Sequence, residues 1–414
     1  MSVCSEVADY EWLTGDEAAA LLGEYSACSL PLHSEMGRLR RHLSPDRAHL
    51  VAEQVDLRRR AEEKFSTADL MFFTRTALEQ ATDEHIARYK AARIALRVEH
   101  INARSSGCGQ SQRGAAIADL CCGIGGDLLA LAERNRVVAV DCSPVATHFA
   151  AANLRAVVPS ADAQFRTMDA SELILDNIIA WHLDPDRRAS GRRTTSLEFC
   201  QPDVAVIERL LHCVPHAAIK LAPACTVPRQ WAERCELEWI SRGGECRQLV
   251  AWHGELAEHP GQRRATIVAT HGIAPRTLTG MTNQSIPIAR QIRDYVFDID
   301  PAVLAAHLKG ALAAIYNLSA LDSGPTYLTG DSPISDPALS CFRVDAVLPL
   351  RTQALARHLR EYRVGQLEIK KRGVDIVPEK LRRELKLRGD NTATLLIAKV
   401  AGRATAILAH RVAC

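Results

Sequence analysis

Residues 118–141 read "ADLCCGIGGDLLALAERNRVVAVD". An apolar run through Ala116, Ile117 and Ala118 leads into a glycine turn. A helical segment follows, and a second apolar run stops at Asp141. This order predicts a strand, a ligand loop, a helix and a second strand, the βαβ unit of a parallel sheet. The fold class expected is α/β, and the loop's ligand is decided by the spacing of its glycines and acids.

A dinucleotide-binding turn, G-x-G-x-x-G, would carry its third glycine at position 128. Leu128 stands there. What the stretch has instead is D-x-x-x-G-x-G: Asp119, Gly123 and Gly125. This resembles the first motif of class I S-adenosylmethionine (SAM) methyltransferases. The resemblance implies that Gly123 and Gly125 let the backbone approach the amino-acid end of the cofactor. It implies that Asp141, eighteen residues after Gly123, accepts hydrogen bonds from ribose hydroxyls. An acid at that position serves both ligand types, so the glycine spacing discriminates and Asp141 does not. Asp119, Cys121, Cys142 and Ala170 are the further cofactor contacts it implies. Asp169, ending "QFRTMD", is expected to bond the adenine amino group or to cap the helix begun by "ASELIL".

At 414 residues the chain exceeds one ordinary core. A hydrophobic share of 47% and a charged share of 24% fit a soluble globular protein, and no run approaches a membrane span. The start, "MSVCSEVADYEW", has neither a basic region nor an apolar core, so a cytoplasmic protein without a signal peptide is expected. Thirteen scattered cysteines without a C-x-x-C pair predict buried reduced thiols and no metal. Net charge is only +2, yet Arg351 to Arg388 holds twelve Lys or Arg against five Asp or Glu. Such segregation points to a polyanionic partner or to a solvated helix face.

Residues 1–108 read as helical, with apolar residues at three- and four-residue spacing in "DEAAALLGEY", "AHLVAEQVDLRRRAEEKF" and "TALEQATDEHIARYKAARIALRVEHI". Ser66 or Thr67 is a candidate cap before "ADLMFF", and 103–114 is a linker by composition. Strands are expected at 115–120, 137–141, 163–168, 178–183 and 216–221. A hairpin around Gly243-Gly244 and a strand at 264–270 follow. Beyond "GIAPRTLTG", "YVFDIDPAVLAAHLKGALAAIYNL" predicts a strand and a proline-started helix, and "DSGPTYLTGDSPISDP" is turn-rich. The last sixty residues predict strand, helix, strand and hairpin.

The fourth strand runs into "DPDRRASGRR". Ligands of open α/β sheets sit at the carboxyl ends of the strands. Base-modifying amino-methyltransferases commonly carry [DN]-P-P-[FYW] here, accepting bonds from a target amine and stacking an aromatic ring on the base. Asp184 and Pro185 match, but Asp186 and Arg187 replace the second proline and the aromatic. A guanidinium also stacks on bases, and Arg187, Arg188, Arg192 and Arg193 make the loop cationic. Asp184 and Pro185 are thus the catalytic candidates and the four arginines the acceptor-binding ones.

Together "LEQATDEHIARYKAARI", "DLCCGIGGD", "DPDRR", "KLAP", "WISRGGECRQ" and "LEIKKRGVDIVPEKLRRELKLRGDNTATLL" resemble the bacterial, especially actinobacterial, SAM-dependent methyltransferases with a THUMP-like C-terminal domain. The core is also similar to RNA-cap trimethylguanosine synthases. In these the segment matching "FFTRTALEQA" closes over the cofactor, which implies Phe73, Thr74 and Arg75 as lid residues. The architecture implied is a Rossmann-like class I methyltransferase core, a mostly parallel sheet with an antiparallel hairpin strand. Its domains are a helical region at 1–108, the SAM-binding domain at 109–275, an α+β (ferredoxin-like) linker domain at 276–344 and a THUMP-like domain at 345–414. THUMP domains bind RNA, so the implied activity is methylation of a nucleobase in tRNA or rRNA. Lys370, Lys371 and Arg372 would lie on the RNA, with no membrane partner. A small-molecule methyltransferase, and a SAM-retaining RNA-binding protein without turnover, stay open as alternatives.

Overall fold

The structure, a computed structural model, describes residues 3–26, 32–106, 115–186, 197–269, 273–282 and 284–412. The chain gathers into two units, Met1–Leu237 with Gln248–Gly261, and Glu238–Arg247 with Gln262–Cys414. No helix among the described residues is long and apolar enough to cross a membrane.

The first unit opens with α1 (Val3–Leu13), α2 (Asp16–Ser26), α3 (Leu32–Leu39), α4 (Pro45–Ala61), α5 (Arg75–Gln80) and α6 (Glu84–Ser106). Then come β1 (Ala116–Leu120), α7 (Leu128–Ala132), β2 (Val137–Asp141), α8 (Pro144–Val157), β3 (Ala163–Thr167) and β4 (Ile178–Leu183). After them run α9 (Val204–Cys213), β5 (Ala217–Leu221), α10 (Arg229–Arg234), β6 (Glu236–Arg242) and β7 (Glu245–His253). The strands stand in the order β3-β2-β1-β4-β5, all parallel, with β7 antiparallel on β5. Every residue of β1 and β5 is buried, as strands covered on both faces must be. Helix starts follow their caps: Ser143 accepts from Ala146 N ahead of Pro144, and Asp203 accepts from Val206 N.

The N-terminal helices share this core. Phe149 of α8 meets Tyr10 edge-on at 5.2 Å and Phe72 at 5.9 Å, and Thr14 Oγ1 lies 2.8 Å from His148 Nε2. The described residues of 1–108, expected as a separate helical domain, therefore group in one unit with the sheet. The run "TALEQATDEHIARY" also differs from a continuous helix, breaking between Gln80 and Glu84. Lys64 Nζ causes the stop by donating to the carbonyls of Leu78 (2.7 Å), Glu79 (3.1 Å) and Ala81 (3.1 Å). Thr67 precedes the turn at 68–70 without a side-chain cap bond, while Ser66 donates through its N–H and hydroxyl to Glu84.

In the second unit Gly243 and Gly244, both at positive φ, close the β6–β7 hairpin, and β8 (Arg263–Ile267) pairs antiparallel with β9 (Arg276–Gly280). There follow β10 (Tyr295–Ile299), α11 (Pro301–Ala305), α12 (Lys309–Ile315), β11 (Ser319–Ala320), β12 (Leu328–Gly330) and β13 (Leu339–Pro349). Last come α13 (Thr352–Glu361), β14 (Val364–Arg372), α14 (Pro378–Leu385), β15 (Asn391–Val400) and β16 (Arg403–Arg411). One sheet holds the strands in the order β11-β12-β10-β13-β16-β15-β14, with β14 and β15 parallel. The expected boundary at 344/345 falls inside β13, and β10 to β13 hydrogen-bond into the same sheet as β14 to β16. The described residues of 276–344, expected as a ferredoxin-like linker domain, group in one unit with the C-terminal strands. The helix expected after Pro301 is two helices, broken where His307 turns to φ +58, and the turn-rich stretch holds β12.

Alternation along β15 covers both faces of that sheet. Leu395 and Ile397 pack under Leu355, Leu359, Leu381 and Leu385 of α13 and α14, while Leu396 and Ala398 meet Val296, Tyr327 and Phe342. The sheet also curls. Asp298 of β10 accepts from Lys370 (3.0 Å) and Arg372 (2.9 Å) of β14, although three strands intervene. Four inter-strand steps of ~4.8 Å would hold them about 19 Å apart in a flat sheet. The two cations expected on RNA are thus occupied in the fold, and Lys371 Nζ donates to Ile376 O. Asp298→Ala should lower the stability of this unit by about 2–4 kcal/mol, since two half-buried cations lose their shared carboxylate. Urea unfolding followed by tryptophan fluorescence and amide exchange would check it, and an unchanged midpoint would rule out the clasp.

Candidate functional site

The glycine turn leaves β1 by a left-handed step. Cys121 has φ +56, a conformation costing a non-glycine residue about 1–2 kcal/mol. Cys122 N–H donating to Val140 O (3.0 Å) holds it there. Gly123 (φ +54) and Gly125 (φ +92) continue the turn, and a Cβ on Gly123 would meet only open space. Gly126 is a glycine for a different reason. A Cβ there would stand 3.1 Å from Thr82 N and 3.2 Å from Thr82 O. On the other flank Asn153 of α8 donates to Ile124 O (2.9 Å) and Phe72 O (3.1 Å), and accepts from Phe72 N (2.7 Å). The turn is clamped between α8 and the segment before α6.

Asp141, half-buried at the end of β2, accepts from Gly123 N and Ser143 N, each at 2.9 Å. Burial pushes its carboxyl up, against the pull of those two N–H bonds. Cys142 beside it is exposed. Asp169 is exposed at the end of β3 and accepts from Ser171 N (2.7 Å), with Ala170 buried next to it. The Ser171 hydroxyl and N–H hold its carboxyl below the ordinary carboxylate range. Asp169 therefore caps a turn while facing solvent. Among the nine cysteines that the structure describes as free, Cys122, Cys200, Cys235 and Cys341 are buried; Cys142 and Cys213 are exposed, so the expectation of buried thiols holds only in part.

Asp119 lies under the turn, only 1% exposed, and belongs to a chain of buried polar groups. Its Oδ1 is 2.8 Å from His182 Nδ1, and His182 Nε2 is 3.1 Å from Lys90 Nζ. An ammonium only donates, so Nε2 accepts and Nδ1 carries the proton. Lys90 pairs with Asp127 at 2.8 Å; Thr82 Oγ1 donates to Asp127 (2.6 Å) and accepts from Lys220 Nζ (3.0 Å). Lys220 also donates to Asp184 Oδ2 at 2.5 Å and, at 3.4 Å, to Gln80 O. Burial alone would raise the Asp127 carboxyl, but the Lys90 and Lys220 ammoniums outweigh it and hold it well below its ordinary value. Burial lowers Lys90 and raises Asp119. Strand geometry gathers the set: Asp119 pairs with His182 across β1 and β4, and His182 and Asp184, two apart, share a face.

Asp184 is half-buried, and its backbone N–H donates to Leu120 O (3.2 Å). Pro185 is buried, and Asp186 pairs with Gln201 through two backbone bonds. Arg187, Arg188, Arg192 and Arg193 lie outside the described residues. Phe199, 57% exposed two residues before Gln201, is an aromatic that the reading of "DPDRR" overlooked. Of the lid residues, Phe73 is buried with its N–H on Gln54 Oε1, Thr74 caps α5, and Arg75 pairs with Glu53. Lys90, Thr82, Asp127, His182 and Lys220 were missed altogether. The available signal was a histidine and an aspartate alternating in the otherwise apolar "IIAWHLD", and a lysine inside the apolar "AAIKLA".

Residues 339–411 match the family model described as THUMP domain-like. Two strains of Mycobacterium tuberculosis hold a protein described as an uncharacterized S-adenosylmethionine-dependent methyltransferase. It is 32% identical over 366 residues, spanning 86% of this chain and 94% of that protein. Among solved structures, a protein of Porphyromonas gingivalis W83 assigned as a methyltransferase superposes with TM-score 0.75 at 20% identity. The match covers 95% of this chain and 97% of that one. The fold is thus that of class I methyltransferases.

Asp127→Asn should destabilise the first unit by about 3–5 kcal/mol at pH 7, since Lys90 is left buried without its counter-ion. The depressed Asp127 carboxyl adds stability in full above the unfolded value near ~4 and loses it as pH falls through the lower folded value. Wild-type stability should therefore drop more steeply on acidification than that of the variant. Parallel acid slopes in denaturant titrations at pH 2–6 would refute the assignment.

Proposed function

The chain belongs to the S-adenosylmethionine-dependent methyltransferases, and we propose that its acceptor is a nucleobase of RNA, with Asp184 as the group that receives the acceptor. The observation that carries the reading is Asp184 itself, half-buried at the carboxyl end of β4 next to the glycine turn, with Oδ2 held by Lys220. Oδ1 has no partner among the described residues and would accept an acceptor N–H.

The strand ends fit SAM. Three carboxylates of the buried chain (Asp119, Asp127 and Asp184) face two ammoniums (Lys90 and Lys220), leaving one negative charge beneath the turn. Asp141 and Asp169 add negative charge at the neighbouring strand ends. A cofactor with a net positive charge suits that field; a pyrophosphate does not. Gly123 and Gly125 would admit the amino-acid end, with Cys121 beside them, and Asp141 would receive the ribose hydroxyls. Cys142, Asp169 and Ala170 would border the adenine. Asp119, covered by protein, would act from beneath by fixing the turn. SAM supplies an activated methyl group, so the protein's contribution is alignment.

RNA as acceptor is supported by the THUMP domain-like region and by its exposed cations. With Lys370 and Arg372 tied to Asp298, the exposed cations there include Lys380, Arg382, Arg383, Lys386 and Arg388, clustered on and just after α14. Phe199 would provide the ring that "DPDRR" lacks.

Asp184→Ala should leave SAM affinity within a few fold and cost about 2–4 kcal/mol in single-turnover rate on RNA from a deletion strain. Asp141→Ala should instead cost about 1.5–3 kcal/mol of SAM affinity by calorimetry. Exchanging Lys380, Arg383, Lys386 and Arg388 for Gln should flatten the salt dependence of RNA binding without touching SAM binding. Identical nucleoside profiles in RNA of deletion and parent strains would refute RNA as the acceptor.

A further inference from the structure

Lys220 is 5% exposed in the middle of a strand whose neighbours Ile219 and Leu221 are fully buried. A buried ammonium is costly there, and an aliphatic residue would serve packing better. Asp184 does not require it as a partner, since its side chain is 25% exposed and reaches water. The pairing therefore does something other than neutralise a stranded acid.

We propose that Lys220 is a positioning residue for methyl transfer, fixing the direction of the Asp184 carboxylate from a seat supplied by the N-terminal segment. This rests on the reading of Asp184 as the acceptor-facing group. The ammonium has three N–H bonds to give and three acceptors around it: Asp184 Oδ2, Thr82 Oγ1 and Gln80 O. Filled in this way, it cannot swing, and Oδ2 stays where it is placed. The backbone of Asp184 is pinned by Leu120 O, and Pro185 restricts its rotation. Oδ1 then keeps one direction toward the cleft. The same N-terminal segment reaches the next acid, as Gln80 Nε2 donates to Asp186 Oδ1 at 3.4 Å. Thr82 joins this seat to Asp127 and lies on Gly126, so one short segment sets both the glycine turn and the acid.

The test needs no acceptor. Two ligands are compared by calorimetry on the full chain: S-adenosylhomocysteine, and the SAM analogue in which a carbon bearing an ammonium replaces the methylated sulfonium. Their affinity ratio reports whether a carboxylate is aimed at the methyl position. Wild type should favour the ammonium analogue by about tenfold or more, and Asp184→Ala should abolish the preference. Lys220→Met should lose most of the preference while binding S-adenosylhomocysteine within about threefold of wild type, and Lys220→Arg should regain it. If Lys220→Met fails to fold, Thr82→Val, which removes only the hydroxyl seat, should still reduce the ratio. A Lys220→Met protein with the wild-type ratio, or with both affinities lowered alike, overturns the proposal. A wild-type ratio in Asp184→Ala overturns instead the placement of Asp184 on which it rests.

Discussion

Charge buried beneath the glycine turn is the constraint from which the first unit takes its shape. Asp119, Asp127, His182, Lys90 and Lys220 are each at most 7% exposed. None of them is tolerable alone: removing one partner leaves the next desolvated and unpaired. The set is complete only when β1, β4 and β5, the start of α7, and the N-terminal α6 are all in place. The helices at the N-terminus are for that reason neither an appendage nor an independent domain. They supply a cation, a hydroxyl and a backbone carbonyl that the sheet cannot supply from its own residues.

Much of this was legible from local pattern. Fully buried parallel strands must be apolar runs, and "AIADL", "VVAVD" and "IIAWHL" are such runs, so their limits could be read closely. The turn was legible because Gly123 and Gly125 answer a backbone need that no side chain can fill. Gly126 and Asp127 stood in the same quoted motif without a role, since theirs comes from Thr82 and Lys90, and sequence spacing carries no sign of such partners. The break after Gln80 was hidden likewise, because the lysine that ends the helix belongs to the segment after α4.

The C-terminal half shows the opposite error. There the pattern shows the charge but not the partners that two of the cations find. "IKKR" sits in a basic stretch, but its partner, Asp298, lies more than seventy residues earlier in the chain. It becomes a neighbour only because the sheet curls. The boundary at 344/345 failed on the same ground. A strand with one solvated face, "RVDAVLP", alternates too weakly to be recognised as the continuation of "LSCF".

The polar chain beneath the turn also fixes a sequence of events. Lys90 and His182 are 92 positions apart, and Thr82 and Lys220 are 138 apart. Contacts of such separation form late, after loop closure between distant segments. While the protein is being synthesised, α6 emerges with Lys90 on a face that has nothing to meet until Asp127 is made, and the contact to His182 waits for β4. The contacts of Thr82 Oγ1 and Gln80 O with Lys220 wait longer still, for β5. The glycine turn, complete in sequence by residue 127, thus has no finished floor until β5 has been made.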